Sequence, residues 1–251
     1  MAELPRFFVP ADTLHGDVIE IGGEALHHLR TVLRLGLGAE ILLLDGLGGC
    51  CRARLVTLGR DRATAAVSAR WTAVEQPCPL RLLQALPKGD KFDLVLQKGT
   101  ELGITTFQPL LTSRTLARAD TGRRLRWQRI ISEAARQSRR PRLPGLEPLC
   151  PLPAALGKVD EPLRLVLWEE SARPLREVLP PRAPAGVALL IGPEGGFGVD
   201  EVASVEAAGF VPVHLGPRIL RTETAGLAVA AVLQFLYGDW NQAPEQGSPA
   251  A

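Results

Sequence analysis

Short apolar runs alternate with turn residues through the first third of the chain. Phe7–Val9, Val18–Ile21, Glu40–Asp45, Cys51–Leu58 and Thr64–Ala69 have strand length and are separated by Gly, Asp and Pro. That spacing predicts a small β-barrel or sandwich, and Asp45-Gly46 is a hairpin-turn signal. Residues 23–35 break the alternation: Leu26, Leu29, Val32 and Leu33 recur at helical period, so a helix is expected there. From residue 80 the rhythm changes to strand, helix, strand. Leu80–Leu86 and Ile104–Leu111 flank a helix that Asp90 caps and Gly103 closes, with Phe92, Val95, Leu96 and Leu102 facing inward. This is a βαβ unit, for which a right-handed connection is expected. Leu163–Trp168, Val187–Ile191 and Phe210–Leu215 read as further strands. Helices are expected over 125–138, 173–179 and 201–208 (the last capped by Asp200), and an almost wholly apolar one over 226–237, which must be buried. The expected organisation is a β-rich domain over 1–72, a Pro-containing linker over 73–79, an α/β domain over 80–240 and a disordered polar tail over 241–251.

Two of these strands end in unusual loops. Val187–Ile191 runs into Gly192-Pro193-Glu194-Gly195-Gly196-Phe197-Gly198, and Phe210–Leu215 runs into Gly216 and then Arg221-Thr222-Glu223-Thr224. In open α/β sheets the ligand crevice lies outside the carboxyl ends of the strands. Glycine lets backbone N–H groups approach a ligand without a Cβ in the way. One such loop alone would be a tight turn; two on consecutive strands indicate a ligand site. The site is neither a P-loop, since G-x-x-x-x-G-K-[ST] is absent, nor a dinucleotide fingerprint, since G-x-G-x-x-G is absent.

The pair GPEGG and LGPRILRTETA resembles the signature of the bacterial small-subunit ribosomal RNA (uracil-N3) methyltransferases, the RsmE family of the SPOUT class. HHLRTVLRLG near the start and PKGDKFDLVLQKGTELGI in the middle extend the resemblance over nearly the whole chain. The resemblance implies an α/β SPOUT domain with a deep trefoil knot behind a small PUA-like RNA-binding β-barrel. It implies S-adenosylmethionine (S-adenosyl-L-methionine) as cofactor, the 16S rRNA or the 30S ribosomal subunit as partner, and a homodimer formed through the C-terminal domain. The cofactor-binding residues it implies are Leu190, Gly192, Pro193, Glu194, Gly195 and Gly196 on the first loop. On the second they are Leu215, Gly216, Ile219, Leu220, Arg221, Thr222 and Ala225. Arg221 is expected to stabilise charge developing on a uracil oxygen. Glu194 is either a base or a holder of its loop through backbone N–H bonds, the latter role being favoured. Thr222 and Thr224 are expected to cap the last helix, and Glu223 to pair with an arginine. The end of the Leu163–Trp168 strand, with Glu169, is expected to form a third wall.

Charge sharpens this picture. Net charge is +2, but Arg114–Arg142 holds ten arginines against Asp120 and Glu133, so that segment is +8 and the rest −6. Local Arg density suits a nucleic-acid partner. Arg6, Arg30, Arg34, Lys88, Lys91, Arg139 and Arg140 are the candidate RNA contacts. Arg126, Arg129, Arg136 and Arg140 recur along one helical face, for which an RNA-facing surface is expected over an ion-pair stripe. Adjacent residues on a helix diverge, so His27 and His28 are not a metal pair, and the four cysteines lack C-x-x-C spacing; no metal is expected. No apolar run reaches membrane-spanning length, and a cytoplasmic protein without a membrane partner is expected. Two other functions are weighed: a non-catalytic RNA-binding or ribosome-assembly factor, and an NAD-dependent oxidoreductase, which the missing fingerprint disfavours.

Overall fold

The structure is a computed structural model that describes residues 4–75, 77–115 and 122–241. The described residues form two compact units: 4–75 with 135–143, and 77–115 with 122–134 and 144–241. Residues 135–143 therefore group with the first unit, although their position in the chain had put them with the second. What draws them there is long-range pairing. Leu143 N–H bonds the Gly46 carbonyl at 2.9 Å, and Arg140 Nε meets Glu75 Oε1 at 2.6 Å.

The first unit contains β1 (Arg6–Phe8), a 3-10 turn (Ala11–Leu14), β2 (Val18–Ile21), α1 (Gly23–His27), β3 (Glu40–Leu44), β4 (Gly49–Leu58) and β5 (Ala63–Thr72). The sheet order is β1-β3-β4-β5-β2, with β1 parallel to β3 and the other pairs antiparallel. Strand alternation directs Phe7, Ile19, Ile21, Ile41, Leu43 and Leu55 into one core, each at most 1% exposed. Register shifts at Arg52/Ala53 and Leu55/Thr57 mark bulges, which increase local twist and curl the sheet. Among the described residues β1 and β2 remain the two ends of the sheet, so the expected barrel is a curled five-stranded sheet in its hydrogen bonding. The expected helix over 23–35 also differs. After His27 it widens into a π-turn over His28–Val32, and Arg34 turns left-handed at φ 52. Leu26 and Leu29 reach the core, whereas Val32 and Leu33 are left exposed.

The second unit is an α/β fold. It holds β6 (Leu80–Ala85), α2 (Lys91–Glu101), β7 (Thr106–Leu111), α3 (Arg123–Gln137, whose last three residues group with the first unit), β8 (Gly145–Leu146), β9 (Cys150–Pro151) and α4 (Leu152–Leu156). Then follow β10 (Leu163–Leu167), α5 (Leu175–Val178), β11 (Val187–Ile191), α6 (Val199–Ala207), β12 (Val211–Val213) and α7 (Thr222–Tyr237). The strands run parallel in the order β12-β10-β11-β6-β7-β8, with β9 also on β7. A parallel strand covered on both faces should be continuously apolar, and every residue of β11 is buried. α7 packs against α2, β6 and β11. It can approach closely because of Gly226, where a Cβ would stand 3.1 Å from Leu82 Cδ1.

Helix ends depart from expectation in ways that matter for the site. α7 begins at Thr222, four residues before the expected Gly226, with Arg221 at the N-cap position. Asp90 occupies the N-cap of α2, yet its carboxylate accepts from Arg126 at 3.2 Å instead of capping the backbone. α6 is capped at Gly198, not Asp200, and the Glu201 carboxylate accepts the Gly198 N–H at 2.9 Å.

Candidate active site

The carboxyl ends of β10, β11 and β12 surround a cavity of about 470 Å³ that lies wholly within the second unit. Its walls come from Leu167-Trp168-Glu169 after β10, the glycine loop after β11, and the run from Val213 through Thr222 after β12. Ala225 of α7 also lines it. The expected cofactor residues Gly192, Pro193, Glu194, Gly196, Leu215, Gly216, Ile219, Leu220, Arg221, Thr222 and Ala225 all line it. Leu190 and Gly195 do not. Strand alternation gives Ile191 to the wall and Leu190 to the core with Leu83, Val166 and Phe210. Gly195 sits on the outer side of its loop, next to Arg114. Trp168 and Glu169 form the anticipated third wall, whereas Phe197, His214 and Arg218 had not been singled out. All three are loop neighbours of residues that had been, so adjacency was the available signal.

The glycine loop is held by groups from remote parts of the chain. Glu194 Oε1 accepts the Lys88 N–H at 3.1 Å and the Lys91 ammonium at 3.3 Å. Burial raises the Glu194 pKa, but its own N–H, that of Lys88 and the Lys91 ammonium outweigh it and leave the carboxyl below its ordinary value. An anion so stabilised is a weak base. Lys91 also pairs with Glu223 at 3.4 Å, so Glu223 meets a lysine in place of the expected arginine. Thr222 does not cap α7: its hydroxyl donates to the Gly192 carbonyl at 2.6 Å and accepts from the Gln84 amide at 2.9 Å. On the second loop, His214 Nδ1 accepts the Gly216 N–H at 3.0 Å, which places the neutral ring's proton on Nε2.

The expected RNA contacts scatter. Arg30 and Arg34 are exposed on and just after the π-turn, with Arg30 Nη1 donating to the Arg60 carbonyl at 2.7 Å. Arg6 is half-buried in β1, Arg139 is exposed in a left-handed conformation (φ 63), and Lys88 is exposed. Lys91 belongs to the carboxylate cluster just described. Arg140 is only 6% exposed and bonded to Glu75, so it is an internal ion-pair partner, not a surface cation. Arg126 pairs with Asp90 and Asp93. These two arginines thus meet carboxylates far along the chain, which is neither the expected RNA-facing surface nor an i,i+4 stripe.

A family model described as an RNA methyltransferase domain matches residues 74–234, and one described as an RNA methyltransferase PUA domain matches residues 21–68. These matches define the class: an RNA methyltransferase with an N-terminal PUA domain. Among curated relatives, ribosomal RNA small subunit methyltransferase E of Synechocystis sp. is 40% identical, covering 92% of this chain and 77% of its own. The protein of the same name from Mycobacterium bovis is 33% identical over 94% and 93%. A crystal structure of the enzyme of that name from Neisseria gonorrhoeae, bound to S-adenosyl methionine, aligns with TM-score 0.87 at 36% identity, covering 95% of this chain and all of that one. A putative methyltransferase from Legionella pneumophila, in complex with the same cofactor, aligns with TM-score 0.88 at 32% identity over 95% and 100%. The chain belongs to the ribosomal RNA small subunit methyltransferase E family.

Proposed function

We propose that this chain transfers a methyl group from S-adenosylmethionine to N3 of a uridine in 16S ribosomal RNA. The observation that carries the proposal is the cavity itself, built where the two signature loops leave the parallel strands β11 and β12, on either side of β10. Its chemistry fits the cofactor. The volume of about 470 Å³ falls in the range of small-molecule sites. Leu167, Ile191, Val213 and Leu220 offer apolar walls for an adenine, and Gly192, Gly196 and Gly216 leave backbone groups open. Glu169 and Glu194 bring negative charge to a site for a cationic ligand.

When bound, the cofactor supplies an electrophilic methyl group. The chain supplies alignment, by holding both loops on rigid strand ends. Arg221, at the N-cap of α7 and on the cavity wall, stabilises negative charge developing on a uracil carbonyl oxygen. Glu194, kept ionised by its donors, holds the loop; as the S–CH3 bond breaks and the N3–CH3 bond forms, the N3 proton passes to solvent water. Arg30, Arg34, Arg139 and Lys88 are exposed cations that would contact RNA phosphates.

The trefoil knot belongs to the same proposal. It is supported by the path of the chain, which leaves the edge strand β12 and returns to place α7 against β6 and α2. So does a homodimer. Val232, Phe235 and Leu236 of α7, with Trp240 beyond it, are each 41–55% exposed and recur at helical spacing, a stripe suited to a second copy. Phe235→Asp should then give a monomer in light scattering.

The test is methyl transfer from labelled S-adenosylmethionine to small-subunit ribosomal RNA, offered free and as assembled particles, with nucleoside analysis. Label in 3-methyluridine is expected, and Arg221→Ala should lower the rate at least ~100-fold. Cofactor binding without label in any uridine would sink the assignment of the base.

A further inference from the structure

The glycine loop has an outer side that the cavity does not touch, and a second element of the fold grips it there. β7 ends in the turn Thr112-Ser113-Arg114-Thr115. The turn is closed by its own bonds: Thr115 N–H to the Thr112 carbonyl at 3.1 Å, Thr112 N–H to Thr115 Oγ1 at 2.9 Å, and the two hydroxyls to each other at 2.8 Å. The two residues between these threonines both reach the loop. Ser113 N–H donates to Glu201 Oε1 at 2.7 Å, while the other oxygen of that carboxylate takes the Gly198 N–H at 2.9 Å. Arg114 Nη1 donates to the Gly195 carbonyl at 2.7 Å.

The loop between these grips has little stiffness of its own. Gly195, Gly196 and Gly198 carry no side chains, and Gly196 sits at φ +68. Its inner side must nevertheless present Gly192–Glu194 and Gly196–Phe197 to the cavity in one shape. A single carboxylate shared by two backbone N–H groups from separate loops fixes the distance between those loops, because each bond is charge-assisted and directional. Burial raises the Glu201 pKa, yet the Gly198 and Ser113 donors and the nearby Arg114 bring it below its ordinary value, consistent with an anion engaged on both oxygens.

We propose that Glu201 and Arg114 are positioning residues for the cofactor: through them the Thr112–Thr115 turn sets the shape of the glycine loop. The inference rests on the cofactor assignment made above. Neither residue lines the cavity, so both act through Gly195 and Gly198 and not by touching the ligand. Glu201→Gln keeps the size of the side chain but replaces one acceptor oxygen with a donor, so one of the two N–H bonds is lost. Arg114→Ala removes the grip on Gly195 from an exposed side chain.

The experiment is calorimetric titration of S-adenosylmethionine into the wild-type chain, Glu201→Gln, Glu201→Ala, Arg114→Ala and Arg114→Lys, without RNA. Steady-state rates with RNA follow. Affinity should fall about tenfold or more for both Glu201 variants and several-fold for Arg114→Ala, with Arg114→Lys between. In turnover the effect should appear as a raised KM for the cofactor, with kcat at saturating cofactor and KM for RNA close to wild type. Variants that bind the cofactor as tightly as wild type overturn the inference. So does a raised KM for RNA alone in Arg114→Ala, which would make Arg114 an RNA contact. Arg114→Ala keeps the test decisive should both Glu201 variants fail to fold. A wild-type chain that does not bind the cofactor brings down the assignment of the site and this inference with it, whereas tight wild-type binding matched by the variants brings down only the inference.

Discussion

Thr222 and Gly192 join the two signature loops directly, the hydroxyl donating to the carbonyl at 2.6 Å. The same oxygen accepts from Gln84 at 2.9 Å, so β6, β11 and α7 meet at one buried group that is 8% exposed.

Replacing Thr222 by Val keeps the shape and removes the hydroxyl. The Gly192 carbonyl then lacks its donor and the Gln84 amide its acceptor. A loss of about 1–3 kcal/mol in unfolding free energy is expected, with weaker cofactor binding. Thr222→Ser should recover most of both. Urea denaturation and cofactor titration measure them, and a Val variant as stable as wild type would show that the bond carries no weight.

Gln234 closes a larger set. Its side chain is fully buried; it accepts the Cys78 N–H at 2.8 Å and donates to the Cys78 and Gly103 carbonyls at 3.1 and 3.0 Å. Gln234→Leu is similar in volume but leaves three backbone groups without this partner, and should cost roughly 3 kcal/mol or more. Denaturant midpoints decide the matter: a midpoint unchanged in Gln234→Leu would mean the site tolerates apolar replacement.

Acid should weaken the fold through Glu194 and Glu201. Both are depressed below the ordinary carboxylate value of 4.5 in the folded chain, so below that value the unfolded state binds more protons. Their contribution is present above pH ~4.5 and is lost as pH falls through the lower folded values. Unfolding free energy measured between pH 6 and pH 3 should fall, and the slope should be shallower in Glu194→Gln and Glu201→Gln.

Arg140 separates structure from RNA binding. Its guanidinium and Glu75 have side chains 7% and 11% exposed. Arg140→Ala leaves a buried carboxylate without that partner, a change of about 3–5 kcal/mol. Lys88→Ala, at an exposed side chain, should leave stability within about 1 kcal/mol and lower RNA affinity instead. Equal stability losses in the two variants would contradict this division.

Much of this site was legible because its signals are local. Glycine at a strand end, an apolar run of five residues and a polar cluster after a second strand are all read within a window of a dozen positions, and they located the cavity wall. What escaped depends on partners far along the chain. Arg140 looks like any helical arginine until Glu75, 65 residues earlier, is placed beside it. Lys91 reads as a candidate RNA contact, yet its carboxylates lie more than a hundred positions away in Glu194 and Glu223. The cluster Arg221–Thr224 reads as a turn because it is wholly polar and its two threonines are poor helix formers, whereas N–H bonds from Thr224 and Ala225 to the Arg221 carbonyl begin α7 there. The π-turn after His27 breaks a regular period with no residue that announces it.

The glycine loop is tied down by Lys88 and Lys91, by Ser113 and Arg114, and by Thr222, spanning most of the second unit's sequence. On the ribosome these ties arrive in a fixed order, and Thr222 comes last. A nascent chain halted before α7 has the strands that flank the cavity but not the residue that locks its two loops together. Cofactor binding therefore rewards only the finished chain: by mass action the ligand stabilises the completed fold and gives no support to its precursors.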